Sequence, residues 1–328
     1  MSIQIIKPGL FDTIQDAGRY GYQHIGINPG GVMDEVAASV ANMLVGNNMH
    51  EAIIELHFLA PVMRFEKACV IALSGADFSA TINEQNIPLN TAIVVAAATQ
   101  LSFKLYKKGA RCYLAVYGGW EGNKWLNSYS TNTKVKAGGL NGRPLRKNDV
   151  IQFKAEQPTA ELPDESFIIT PIQINTDAFY NASNVIRCLE GRQYEWLDDA
   201  SKNKIKTALF KIGIQSDRMG YRLTGDTLES TKQKQLLSSA VTRGTVQLLP
   251  GGELILLMAD HPTTGGYPVI ANAISADMPS LAQMQPGSSV QFNFISLAEA
   301  EALYMQQQQN LLQLRDACTL QFNKFFDR

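Results

Sequence analysis

The chain has 328 residues, 45% of them hydrophobic and 18% charged, which is enough apolar content to bury a core without disulfide or metal staples. Its 29 basic and 30 acidic side chains nearly cancel and no basic block stands out, so a nucleic-acid backbone finds no electrostatic footprint. Cys69, Cys112, Cys188 and Cys318 form no C-x-x-C pair, which excludes the common zinc modules and a disulfide framework.

The first residues, MSIQIIKPGLFDT, are polar and interrupted by Pro8 and Gly9, unlike a signal peptide. No run approaches the ~20 apolar residues that span a bilayer, so a cytoplasmic location is expected. Two glycine-punctuated segments follow, G-L-F-D-T-I-Q-D-A-G-R-Y-G-Y at 9–22 and G-I-N-P-G-G-V-M-D at 26–34. Residues 34–45 then predict a helix: Val36, Val40 and Leu44 recur every four residues, Asp34 is placed to cap the start and Gly46 to end it.

Short strands come next. In 52–58 Ile54, Leu56 and Phe58 alternate with Glu55 and His57. Further strands are predicted at 69–75, 78–82, 92–98, 101–106 and 111–118, with turn residues between most of them. Cys69 and Cys112 fall inside these apolar runs, as buried thiols do. The polar stretch 156–165 carries two prolines and reads as a linker.

Beyond it, a short helix is expected around 194–209 and strands at 245–250, 253–259 and 289–295. A surface helix starts after Ser296, with Glu299 at the capping-box position. The expected organisation is a β-rich N-terminal domain with one helix (1–155), the linker, a β-rich C-terminal domain (166–298) and a helical tail (299–328). The fold class is mainly β with α+β elaboration, in a closed or sandwiched architecture.

Several chemistries are missing from the sequence. It holds no G-x-x-x-x-G-K-[ST] phosphate loop, no G-x-S-x-G nucleophile elbow and no M-K-M biotin-attachment site. His50-Glu51 is not followed by a histidine at zincin spacing, and with four histidines in all no metal site is expected.

Three segments could carry chemistry. In the first, Gln15, Asp16 and Arg19 lie close together, and Gly30-Gly31 leads into a helix start whose free N–H groups could hold an anion. The plain alternative is a tight loop with Asp16 paired to Arg19. In the second, S-D-R-M-G-Y-R-L at 216–223, Arg218 could present its guanidinium to a carboxylate, with Asp217 and Tyr221 beside it. The plain alternative is a turn closed by an internal ion pair. The third, A-D-H-P-T-T-G-G-Y-P at 259–268, follows an apolar strand. Thr263, Thr264, Gly265, Gly266 and Tyr267 offer hydroxyls and close backbone approach to a small polar ligand. Asp260 and His261 could move protons there.

These motifs occur in order with P-G-G-V-M-D, L-S-G-A-D-F, Y-L-A-V-Y-G-G and I-S-A-D-M-P-S-L-A-Q. Together they resemble the allophanate hydrolase subunit 2 family, also called the biotin-dependent carboxyltransferase or KipI-antagonist (KipA) family, over about residues 3–298. The resemblance implies a cyclophilin-like β-barrel with a second β-rich portion. It also implies the role of many bacterial members, the C subunit of an ATP-hydrolysing 5-oxoprolinase, which converts 5-oxo-L-proline to L-glutamate.

On that reading ATP with Mg acts in the complex. The partners are a subunit-B-like protein (similar to allophanate hydrolase subunit 1, or KipI) and a subunit-A-like lactamase, and the chain is inactive alone. Arg218 and the Thr263–Tyr267 loop would contact substrate, and Asp16, Arg19 and Asp260 would position groups or move protons. Gln15, Asp217, Tyr221 and His261 are secondary candidates. The resemblance also admits a urea-carboxylase-type carboxyltransferase whose biotin sits elsewhere, and a regulatory antagonist of a subunit-1-like kinase inhibitor. Two positions depart from the family pattern: Gly30 stands where many relatives carry a serine, and Val269 where a basic residue or isoleucine is common.

Overall fold

A computed structural model describes residues 2–326 except 159–161, 164, 182, 233 and 235. The chain forms two compact units: Met1–Arg19 with Asp34–Asp177 and Gln309–Arg328, and Tyr20–Met33 with Ala178–Gln308.

The first unit holds two six-stranded sheets. One runs Val150–Gln152, Ser2–Lys7, Val62–Phe65, Gln100–Phe103, Ala80–Ile82, Gln85–Asn86. The other runs Phe167–Gln173, Thr91–Val95, Cys69–Asp77, Lys108–Val116, Ile53–His57, Thr13–Gln15. Alternation along the strands supplies the core. Ile3, Ile5, Met63, Phe65 and Leu101 come from the first sheet, and Ile54, Leu56, Ile71, Leu73 and Leu114 from the second.

The alternate residues of the second sheet are buried too, because the helix Glu35–Leu44 packs on its strands Cys69–Asp77 and Lys108–Val116. Asp34 caps that helix by accepting from the Ala37 N–H at 3.0 Å, as its sequence position predicts, and Gly46 follows its end with φ 75°. Glu55, which alternation alone assigns to a polar face, is therefore fully buried. Its carboxylate accepts from the Tyr113 hydroxyl at 2.8 Å, and that oxygen accepts from the Asp34 N–H at 2.8 Å. Burial, with Glu55 and Asp34 adding to it, pushes the Tyr113 phenol well above its ordinary value.

The second unit is a closed barrel of seven strands. Around the barrel they run Val185–Glu190, Val269–Ala273, Thr245–Leu248, Leu254–Leu257, Gly220–Thr224, Phe210–Ile212 and Ser289–Phe294, and this last strand closes in parallel on the first. Closure leaves no open edge in the ring. Ile186, Tyr221, Leu223, Val246, Leu256, Ile270 and Phe292 fill it, joined by Met33 from the early segment. Asp277, fully buried, pins the strand Val185–Glu190 by accepting from the Arg187 N–H at 2.7 Å and from its guanidinium. The pair raises the Arg187 pKa, through the side-chain hydrogen bond first.

The expected organisation needs correcting. The stretch 156–165, of which 159–161 and 164 lie outside the described residues, does not separate the units, because the strand Phe167–Gln173 after it pairs with Thr91–Val95 of the first. Polarity and prolines marked a surface loop there, and strand pairing decided the division. The helix expected around 194–209 is a 3-10 turn, Tyr194–Trp196, followed by a helix at Asp199–Thr207. The C-terminal helix runs Leu297–Phe326, with Ser296 and Glu299 forming the capping box (Ser296 N–H to Glu299 Oε2, 2.8 Å). No helix among the described residues is long and apolar enough to cross a membrane.

Candidate functional site

In the barrel unit, the register of two neighbouring strands builds the constellation. Gly220 pairs with Leu257, and the ladder continues past the strand ends through Met258 N–H to Met219 O (3.0 Å) and Asp260 N–H to Arg218 O (2.7 Å). Arg218 and Asp260 are thereby neighbours. The Arg218 guanidinium donates to both Asp260 oxygens, Nε at 2.9 Å and Nη2 at 3.1 Å, and Nη2 also reaches the Gly31 carbonyl at 2.5 Å. The side chain is only 7% exposed.

Three sequence segments thus meet in one unit: the loop 26–33, the turn before Gly220 and the segment after Leu257. Arg243 anchors the same early loop by donating to the Met33 carbonyl. Backbone carbonyls held by guanidinium groups in this way fix the loop's course without a regular ladder.

Arg218 meets a carboxylate, as its residue type suggests, but that carboxylate is Asp260 of the same chain. Asp217 closes the turn: its Oδ1 accepts from Met219 N–H at 2.8 Å and Gly220 N–H at 3.3 Å. Tyr221 is a barrel-core residue, its hydroxyl 3.5 Å from the Met284 carbonyl.

His261 is buried, and Nδ1 lies 2.6 Å from the Pro262 carbonyl. A carbonyl can only accept, so the proton sits on Nδ1 and Nε2 keeps its lone pair. Burial, assisted by the positive charge of Arg243, pushes this imidazole below its ordinary pKa, and it is neutral at pH 7. Thr264–Gly265 pairs with Ser239–Ala240 in a small two-stranded sheet. A Cβ on Gly265 would press on the end of the Gln247 side chain, which would have to shift. Thr264, Gly266 and Tyr267 are exposed. This arrangement offers a neutral base, an oriented carboxylate and an accessible hydroxyl and backbone edge on one short segment.

Gln15, Asp16 and Arg19 belong to the first unit, where they organise a second polar cluster. Asp16 Oδ1 accepts from the hydroxyls of Ser128 and Ser130 at 2.6 Å each and from the Gly18 N–H at 2.8 Å. Its Oδ2 accepts from the Tyr129 N–H at 2.6 Å. Arg19 donates to the Ser130 carbonyl, and its guanidinium lies 4.8 Å from the Trp125 ring centroid. Gln15 donates to Thr13 Oγ1 at 2.9 Å.

Gly138 and Gly139, both left-handed at φ 73° and 56°, lie so close to Ser130 and Thr131 that a Cβ would collide. Sequence reasoning missed this S-Y-S-T…G-G segment. The signal was present as a run of hydroxyls followed by G-G-L-N-G at 138–142, but its partner Asp16 lies more than a hundred residues away. Among the described residues no group of three or more His, Cys, Asp or Glu is arranged to hold a metal ion.

The carboxyltransferase domain, subdomains A and B, matches residues 25–294. The chain belongs to that family. It is 35% identical to the C subunit of 5-oxoprolinase from Escherichia coli (strain K12) over 313 residues, 95% of this chain and 97% of that one. It is also 34% identical to the C subunit of 5-oxoprolinase from Haemophilus influenzae, over 92% of this chain and 94% of the other. Among solved structures, the urea amidolyase of K. lactis superposes with a TM-score of 0.86 at 26% identity. That match covers 95% of this chain and 20% of the far longer amidolyase chain.

Proposed function

We propose that this chain is the C subunit of an ATP-dependent 5-oxoprolinase, acting with a subunit-B-like and a subunit-A-like protein to convert 5-oxo-L-proline to L-glutamate. The observation that carries this reading is the end-to-end match with the E. coli protein, which leaves almost nothing over on either chain.

The chemistry fits a divided enzyme. A lactam carbonyl is a weak electrophile. Transfer of the γ-phosphoryl group of ATP to its oxygen releases ADP and activates the ring carbon; one water adds there and the C–N bond breaks as the nitrogen takes a proton, leaving an acyl phosphate that a second water hydrolyses to glutamate and phosphate. Such a transfer needs cationic and N–H groups around the phosphate, and Mg bound with ATP would neutralise part of its charge.

In this proposal Asp260 and the neutral His261 hold or move protons, and Thr263, Thr264, Gly265, Gly266 and Tyr267 face the substrate. Arg218, engaged by Asp260 and Gly31, acts by orienting the carboxylate and the 26–33 loop. Asp16, Arg19 and Gln15 shape the first unit's serine-rich loop. The test is glutamate release from 5-oxoproline and ATP by the three proteins together, and again with each omitted. Turnover that requires all three is expected; full activity without this chain would sink the reading.

A second reading, carboxyl transfer to a small amide, is supported by the amidolyase superposition. Biotin would then come from another protein, since this chain has no M-K-M site. Carboxylation of urea by a mixture containing carboxybiotin carrier, with no glutamate release by the three-protein mixture, would favour it.

A further inference from the structure

The same 259–268 segment ends at a cleft of about 740 Å³ in the barrel unit, a size typical of small-molecule sites. Leu228 and Leu248 form a buried apolar floor. Backbone bonds fix the walls around it: Leu228 N–H to Gly252 O at 2.9 Å, and Leu248 N–H to Pro268 O at 2.9 Å. Gln247 Nε2, 3.3 Å from the Tyr267 carbonyl, steadies the Gly266–Tyr267 side. Two exposed lysines, Lys232 and Lys234, also line it, and among the described lining residues their charge exceeds that of the one acidic residue, Glu229. Lys232 Nζ lies 5.6 Å from the Trp196 ring centroid, within cation–π reach.

Both reactants of the proposed reaction are anions, one a carboxylate and the other a polyphosphate. Arg218, the cation the sequence nominates for an anion, is already neutralised by Asp260 in bidentate geometry. The excess positive charge of this cleft sits instead on lysines above an apolar floor, beside an exposed tyrosine ring and two glycine turns that permit close approach. We propose that the cleft binds the anionic group, carboxylate or phosphate, of a small reactant, with Lys232 and Lys234 as its cationic contacts. The choice of reactants as probes rests on the function proposed above.

The three-protein complex carrying K232Q/K234Q in this chain is the direct test. The KM for one reactant should rise about tenfold, the loss of one or two charge-assisted contacts, with kcat nearly unchanged. Lys-to-Arg replacement at both positions should restore it. A rise confined to 5-oxoproline assigns the carboxylate, and one confined to ATP assigns the phosphate. Unchanged KM values for both reactants overturn the proposal while leaving the function standing.

A steric control is Gly251→Leu. A Cβ there meets nothing within 4 Å, so the fold should tolerate it while the cleft narrows. It should raise the same KM. If the wild-type complex does not turn over, the function fails separately. Equilibrium dialysis of labelled 5-oxoproline and labelled ATP against the full chain then decides the cleft. Binding that K232Q/K234Q abolishes supports it, and no binding of either by the wild-type chain overturns it.

Discussion

At the residue scale, Asp16 shows how one carboxylate can organise a loop from across the sequence. It satisfies two hydroxyls and two backbone N–H groups, so Asp16→Ala strands several buried donors and should cost about 3 kcal/mol in chemical denaturation. Asp16→Asn, which keeps one carbonyl acceptor, should recover roughly half of the loss. An alanine variant as stable as wild type would mean that the serines find other partners.

Asp12 gives a second residue-scale prediction. Burial raises its pKa from 3.8 to about 7 against the opposing N–H bonds from His57 and Gly9. Because the folded pKa lies above the unfolded one, the folded state holds the proton more tightly. The contribution is fully present below pH 3.8 and is lost as pH rises through about 7, with a ceiling of roughly 4 kcal/mol. The stability difference between Asp12→Asn and wild type should therefore move in favour of the variant between pH 4 and pH 7, roughly the interval between those two pKa values. Parallel stability–pH curves for the two proteins would refute the titration.

At the element scale, helices were the more legible part. Asp34 and the Ser296/Glu299 pair make the caps their spacing predicts, because capping is decided within four residues of chain. The helical tail expected over 299–328 is a helix running Leu297–Phe326, continuous through a glutamine run that has no apolar periodicity of its own.

Near the end of that helix Phe322 stacks on Tyr117, centroids 5.5 Å apart and rings 2° from parallel, and closes over Gly46, where a Cβ would collide with the ring. Phe322→Ala should lower stability by about 3 kcal/mol, and Phe322→Leu by much less. Equal stability of the alanine variant would show that this end of the helix contributes no packing. Glu55 illustrates the opposite case. Period-two alternation gives the face of a strand but says nothing about what covers that face, and here a helix does.

At the scale of the whole molecule, Cys69, Cys112, Cys188 and Cys318 are all free and buried. Burial pushes the Cys188 thiol up to about 12 and the Cys318 thiol to about 11. A thiol reagent at pH 8 should leave all four unmodified in the native chain and titrate four after denaturation. Rapid native labelling of any one would contradict this packing.

The sequence by itself determined the mainly-β class, the helix caps and the family; it singled out the segments 9–34, 216–223 and 259–268, of which only the part 26–33 of the first joins the other two in the barrel unit. These depend on local periodicity, on turn chemistry and on motifs that survive as unbroken strings. Tertiary structure alone decided that residues 20–33 belong with the barrel and Phe167–Gln173 with the sandwich. It also decided that Arg218 is claimed by Asp260, that Asp16 is claimed by Ser128 and Ser130, and that Lys232 and Lys234 overlook a cleft. Each of these is a pairing between residues tens to more than a hundred positions apart, set by strand register and burial, and such pairings leave no periodic trace in the chain.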